Sequence, residues 1–119
     1  MSKAIEQSRY FKKQADILLE QSGIIQDLEK FGKIHFTGSY AGGVMMDGDI
    51  DIVIEREKPY SVEEILEIFK SLYLGGKFRS YFIGGDWDDP RKGNEFPEGY
   101  YIGLKQKLGG ERWKIDIWF

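Results

Sequence analysis

At 119 residues with 41% apolar side chains, the chain has the length of one domain and enough apolar content for one core. Seventeen Lys plus Arg against 20 Asp plus Glu give a formal charge of −3, which argues against long nucleic acid as a partner yet permits a local basic patch. The lack of cysteine excludes disulfides, thiolate zinc sites and a cysteine nucleophile, and a single histidine excludes multi-histidine metal sites.

The first residues, with Lys3, Glu6, Arg9 and Lys12, lack the apolar block of a signal peptide. The uncharged stretch Ile34 to Met46 is too short to span a membrane. No membrane and a cytoplasmic setting are therefore expected. From Lys3 to Gln21 there is no Pro or Gly, and Ala4, Phe11, Ala15 and Leu18 form a helical stripe. Ser22 is placed to cap a second short helix carrying Ile24, Ile25, Leu28 and Phe31 and ending at Gly32. At Lys33–Thr37 the period changes to that of a strand, which runs into Gly38-Ser39. Asp49–Glu55 alternates more sharply, with Ile50, Ile52 and Ile54 on one face and Asp49, Asp51 and Val53 on the other.

Ser61 and Glu64 fit a capping box, opening a helix whose apolar stripe reads Val62, Ile65, Leu66, Phe69 and Leu72 and which Gly75-Gly76 stops. Phe78 to Ile83 reads as a strand. Gly84 to Gly99 reads as a long surface loop, rich in Gly, Pro and charge, of a kind that is usually functional. Tyr100–Leu108 and Glu111–Phe119 read as two strands joined by a Gly109-Gly110 turn. The fold class expected is α+β (α/β), a mixed β-sheet of about five strands packed against helices. It is organised as one domain over 1–119, with a helical segment at 1–32 and the sheet core at 33–119.

Asp49 and Asp51 are two apart on a strand, so both side chains leave one face, roughly 6.5–7 Å apart at Cα. Alone this is the wet face of an amphipathic strand, although Asp is depleted from strands. Asp116, between Ile115 and Ile117, repeats the setting of Asp51. If the two strands are neighbours, three carboxylates meet on one face, and each pair about 5 Å apart repels by ~3 kcal/mol at an effective dielectric near 20. A divalent cation removes that repulsion, and oxygen ligands suit Mg²⁺ or Mn²⁺. Asp47, Asp49 and Asp51 mimic the start of an EF-hand loop, but Ile52 and Lys58 stand where that loop needs Gly and Glu. Gly38-Ser39, at a strand end before a short Gly-rich turn, makes a corner able to bind phosphate oxygens.

Gly38-Ser39, then nine residues, then Asp49-Ile50-Asp51 and an apolar strand, with a later Ile115-Asp116-Ile117, resembles the DNA-polymerase-beta-like nucleotidyltransferase superfamily and its small, minimal members. The resemblance covers residues 34–55 closely and 113–119 by one further motif. It implies transfer of a nucleoside monophosphate from an NTP to an undetermined hydroxyl acceptor, a small molecule or a protein, with release of pyrophosphate. Asp49 and Asp51 would hold two Mg²⁺ or Mn²⁺ ions, Asp116 would join one of them beside the attacking hydroxyl, and Gly38 and Ser39 would contact the outgoing phosphates. The sequence departs from the pattern twice. Ala41-Gly42-Gly43 stands where several small members carry an Arg, and Gly48 stands where a Ser often precedes the first metal aspartate.

The hairpin register expected from Gly109-Gly110 pairs Lys107 with Arg112, Lys105 with Lys114 and Gly103 with Asp116 on one face. Two explanations of Lys105 and Lys114 follow: nucleotide-binding cations near Asp116, with Gly103 leaving room there, or a basic edge that discourages strand-to-strand aggregation. Under the first, reversing charge at Lys114 weakens NTP binding. His35 reads as a surface or packing residue, Trp113 and Trp118 as packing, and Trp87 either as a stacking platform or as a pin for its loop. With little chain beyond Asp116, acceptor contacts are expected from the N-terminal helices, the Gly84–Gly99 loop, a protein partner or a second copy of the chain. The competing function is a nucleotide- or metal-binding module without turnover, acting through a partner protein as in toxin–antitoxin pairs.

Overall fold

A computed structural model describes residues 3–42, 47–85 and 99–119. Trp87 and most of the expected Gly84–Gly99 loop fall outside the described residues, as does Gly43 of the Ala41-Gly42-Gly43 departure. In chain order the elements are α1 (Lys3–Ser22), α2 (Ile24–Glu29), β1 (Lys33–Thr37), α3 (Gly38–Gly42), β2 (Asp49–Glu55), α4 (Val62–Gly75), β3 (Ser80–Gly85), β4 (Tyr100–Leu108) and β5 (Glu111–Trp118). The fold is α+β. One five-stranded mixed sheet has the order β1-β2-β5-β4-β3, with β2 and β5 parallel and every other pair antiparallel.

The alternation of β2 and β5 sets the layers. Ile50, Ile52 and Ile54 of β2 join Trp113, Ile115 and Ile117 of β5 and Ile102 and Leu104 of β4 in one buried cluster. Phe11, Ala15, Leu18 and Leu19 of α1, Ile24 and Leu28 of α2, and Ile65, Ile68 and Leu72 of α4 complete it, so the helices cover this face. Fully burying a side chain of this size is worth about 1.5–3 kcal/mol, and the opposite face of the sheet is left to polar and aromatic residues. Among the described residues no helix is long and apolar enough to cross a membrane.

The β4–β5 hairpin has the expected register, with Lys105 opposite Lys114, Gly103 opposite Asp116, and Gly109 and Gly110 in left-handed conformations at the turn. The capping box of α4 is also present: Ser61 Oγ accepts from Glu64 N–H and the Glu64 carboxylate accepts from Ser61 N–H.

Three local expectations are corrected. Ser22 ends α1 rather than capping α2; the N-cap is left-handed Gly23, and the buried Ser22 hydroxyl accepts from Ile24 N–H. The inner stripe of α4 is Ile65, Ile68 and Leu72, whereas Val62 and Leu66 are exposed, because the helix is rotated relative to the predicted face. The third strand begins at Ser80, not Phe78, and runs on to Gly85. Phe78 instead turns its ring into the core while its N–H donates to the Tyr81 hydroxyl.

Candidate functional site

The carboxylate cluster is assembled by strand register. Asp51 of β2 lies directly opposite Asp116 of β5, and Asp49 lies opposite Lys114. Since parallel neighbours in register point the same way, all three aspartates stand on the face away from the helices, each beside isoleucines that face the core. Extending the rows across the sheet gives Thr37–Asp51–Asp116–Gly103–Phe82 and, one step along, Asp49–Lys114–Lys105–Ser80.

Gly38 joins this cluster from the β1 side. Its φ of 67° is left-handed, which favours glycine, and a Cβ there would sit 2.6 Å from Asp51 Oδ2 and push that carboxylate aside. The five-residue α3 that follows is tied to α1: the Tyr40 hydroxyl donates to Asp16 Oδ1 at 2.7 Å, and Lys12 Nζ lies 3.4 Å from the centre of the Tyr40 ring. Ser39, half-buried, follows Gly38 in this helix. The second departure from the family pattern has a local cause. A side chain on Gly48 would collide with the Arg112 carbonyl, because β5 closes on this residue and Lys114 N–H donates to its carbonyl at 2.8 Å.

Electrostatics at the cluster are unfavourable. Burial, then Asp47 and Asp116, push the Asp49 carboxyl above the ordinary range, with Lys114 opposing. Burial, then Asp116 and Asp49, do the same to Asp51. The Asp116 side chain is 15% exposed, with Lys114 Nζ 3.5 Å from Oδ1.

The Tyr101 hydroxyl donates to the same Oδ1, and Tyr101 is itself pushed up, first by burial and then by that bond. This tyrosine corrects the expectation that Gly103 leaves open room by Asp116: the space over Gly103 is taken by Tyr101 Oη. The signal for it was present in the hairpin register, since Tyr101 and Gly103 share a face and a long side chain reaches the diagonal neighbour.

The oxygen-only donors suit a hard divalent cation. Among the described residues, however, no group of three such side chains is already gathered as ligands; Asp116 Oδ1 is engaged by Tyr101 and Lys114. The fit lies in donor type and strand register, not in side-chain convergence.

Beside the aspartates the face is cationic. A groove of about 440 Å³ runs from Asp49 past Lys114 and Lys105 to Arg79, Lys107 and Arg112. A neighbouring recess of about 290 Å³ shares Ser80, Lys105 and Lys114 and is walled by Phe82 and Tyr101. The edge-protection account of Lys105 and Lys114 does not apply, because β4 and β5 are interior strands. Arg79 could not be assigned to this groove from sequence, since it depends on the pairing of β3 with β4. His35 Nε2 lies 3.0 Å from Glu55 Oε2, apart from the cluster.

No protein-family model matches the chain, and no curated protein matches its sequence. Among solved structures, that of a poly(A) polymerase complex, GLD-2 with GLD-3, is similar with a TM-score of 0.49 and 10% identity over 99% of this chain. The match takes in 40% of that chain, so this chain spans well under two thirds of its length.

Proposed function

We propose that the chain is a metal-dependent nucleotidyltransferase, moving a nucleoside monophosphate from an NTP to a hydroxyl acceptor with release of pyrophosphate. The observation that carries this reading is the row Asp51–Asp116 on adjacent parallel strands, with Asp49 on the same face and Gly38 against Asp51. Three mutually repelling carboxylates raise the energy of the empty site, and the reading supplies a reason for them. Asp49 and Asp51 are proposed to hold two Mg²⁺ or Mn²⁺ ions, Asp116 to share one beside the acceptor oxygen, and Gly38 and Ser39 to contact the outgoing phosphates. Divalent cations bound there would stabilise the attacking and leaving oxygens of an in-line displacement.

The chain's own residues contribute positioning and charge. As the acceptor oxygen bonds to the α-phosphorus, the bond to the β-phosphate oxygen breaks and pyrophosphate leaves. Lys105 and Lys114 are proposed as phosphate-binding cations, and Tyr101 orients the Asp116 carboxylate. A cytoplasmic setting, where NTPs and Mg²⁺ are plentiful, belongs to the same reading.

The second reading, a nucleotide- or metal-binding module without turnover acting through a protein partner, is favoured by one observation: among the described residues no three acidic side chains are gathered as ligands. Incubation with labelled NTPs, Mn²⁺ and a cell extract separates the two. Transfer of label that vanishes in Asp51→Asn is the outcome expected of the enzyme. NTP binding with no transfer to any acceptor would establish the module instead.

A further inference from the structure

We infer that the outer face of α4 and the edge of β3 form a two-fold interface between two copies of this chain, with the α4 helices antiparallel and the β3 strands joining the sheets. α4 takes no part in the candidate site, so the interface stands apart from the transferase reading.

α4 carries a second apolar stripe besides the one that faces the core. Ile65, Ile68 and Leu72 are buried. Val62, Leu66, Phe69 and Tyr73 lie about a quarter turn round the helix from them. Leu66 and Tyr73 are 51% and 59% exposed, Val62 is exposed, and Phe69 is half-buried. Their spacing of four, three and four residues is the repeat by which two helices pack along a seam. Leu74, 72% exposed, adds apolar surface at the end of the helix. Among the described residues, four of the seven large apolar side chains that are exposed therefore lie on this one helix, a patch and not a scatter.

The stripe runs on to the edge of the sheet. The Tyr81 ring of β3 is centred 5.1 Å from that of Tyr73 and 6.4 Å from that of Phe69. β3 is the last strand in the sheet order, and among the described residues it pairs only with β4. Edge strands are ordinarily protected by charge, proline or a bulge. β3 reads Ser80-Tyr81-Phe82-Ile83-Gly84-Gly85, with neither charge nor proline. At the opposite edge β1 is shorter and carries Lys33 and His35. An unguarded strand edge beside an apolar helix stripe suits the addition of another strand and helix together. Phe82, 60% exposed on the other side of β3, is covered by the same pairing.

Charge selects the occupant. Glu63 and Lys70 flank the stripe; both are exposed, and neither has an ion-pair partner among the described residues. With a second α4 laid antiparallel, Leu66 meets Phe69 of the second copy and Val62 meets Tyr73. Each Glu63 then comes beside Lys70 of the other helix. The face is complementary to itself in apolar order and in charge, as a two-fold interface requires. A membrane surface would instead ask for cations along the stripe, where Glu63 and Glu67 outnumber Lys70. A two-fold axis perpendicular to the sheet sets β3 antiparallel to its counterpart and makes the two sheets continuous. Both aspartate faces then lie on the same side of the dimer.

The test is sedimentation velocity of the full chain over a range of concentrations. The expected species has twice the chain mass of 13.8 kDa. A dissociation constant on the order of 10 μM is expected for a small interface. Leu66→Glu, at an exposed position that the axis presents twice, should weaken association roughly a hundredfold. Glu63→Lys and Lys70→Glu should each weaken it about tenfold, by setting like charges together twice. The double variant should recover. An equal mixture of the two single variants should form heterodimers in preference to either homodimer, because both pairs are then opposite in charge.

A chain that stays monomeric at about 100 μM would overturn the inference. So would a dimer indifferent to Leu66→Glu, which would place the contact elsewhere. A mixture of Glu63→Lys and Lys70→Glu chains that associates no better than either alone would overturn the antiparallel two-fold. That last comparison changes only surface charge, so it holds even if Leu66→Glu fails to fold.

Discussion

Asp51 is the residue on which the cost of the site is most plainly written. Its carboxyl is held above the ordinary value of 3.8 by burial and by Asp116 and Asp49, and it accepts no hydrogen bond among the described residues. Because the folded state binds its proton more tightly than the unfolded chain, its charge is no burden below about pH 4. The burden then grows as pH rises through the folded-state value. Asp51→Asn should therefore melt above the wild type at pH 7 without added metal. Discounting for solvent screening of a partly exposed group, the gain is about 1 kcal/mol, or roughly 4 °C. Thermal melts from pH 7 down to pH 3.5 should show the difference shrinking towards zero. A variant less stable than wild type at pH 7 would mean that the carboxylate holds structure together instead. Asp49, Asp51 and Asp116 were legible as a unit because each interrupts an isoleucine alternation, and period two assigns faces without a structure. Tyr101 was not singled out: a tyrosine beside another in an apolar strand gives no sign of its partner until the register is drawn.

At the level of the element, β2, the α4 cap and the β4–β5 hairpin were readable because their signals are local. Alternation, a Ser-x-x-Glu box and a Gly-Gly turn each fix geometry within a few residues. The face of α4 was not, since Ile65, Leu66, Ile68 and Phe69 offer two overlapping apolar stripes and only packing against the sheet selects Ile65, Ile68 and Leu72. The cap also carries a salt bridge: Arg56 Nη1 lies 2.7 Å from Glu64 Oε2, clamping the end of β2 to the start of α4. The Arg56 hydrogen bond and the Ser61 N–H bond hold the Glu64 carboxyl down from 4.5 to about 2. A depressed carboxyl contributes stability that is complete above pH 4.5 and disappears as pH falls towards 2. Melting curves of Glu64→Gln should thus lie below those of wild type at pH 6 and meet them near pH 2. Ser61→Ala should cost about 1 kcal/mol at pH 6, through the lost cap. Curves for Glu64→Gln that run parallel to wild type over that range would show that the clamp adds nothing.

Across the whole molecule the decisive contact is the parallel pairing of β2 with β5, which joins residues near 50 to residues near 115. No local pattern announces such a pairing. It was reached only by supposing that two similar Ile-Asp-Ile segments are neighbours, and the order β1-β2-β5-β4-β3 could not be read further. That long-range contact gathers the acids, so the fold and the site share one stability. Helices bury one side of the sheet, and the other is left carrying repelling anions beside repelling cations. Anything that binds the folded acids and not the unfolded chain must then stabilise the whole domain. If divalent ions occupy the row Asp51–Asp116, saturation to about 100 times the dissociation constant adds roughly 2.7 kcal/mol, a rise in Tm on the order of 10 °C. Mn²⁺ titrated into metal-stripped protein should produce that rise, and EDTA should reverse it. Asp51→Asn should begin from a higher Tm, and both it and Asp116→Asn should respond little to the metal, which separates a site at the acids from weak screening over the surface. Scanning calorimetry makes the comparison directly: equal shifts in wild type and both variants would mean that the cations bind elsewhere and that the three acids are not a metal centre.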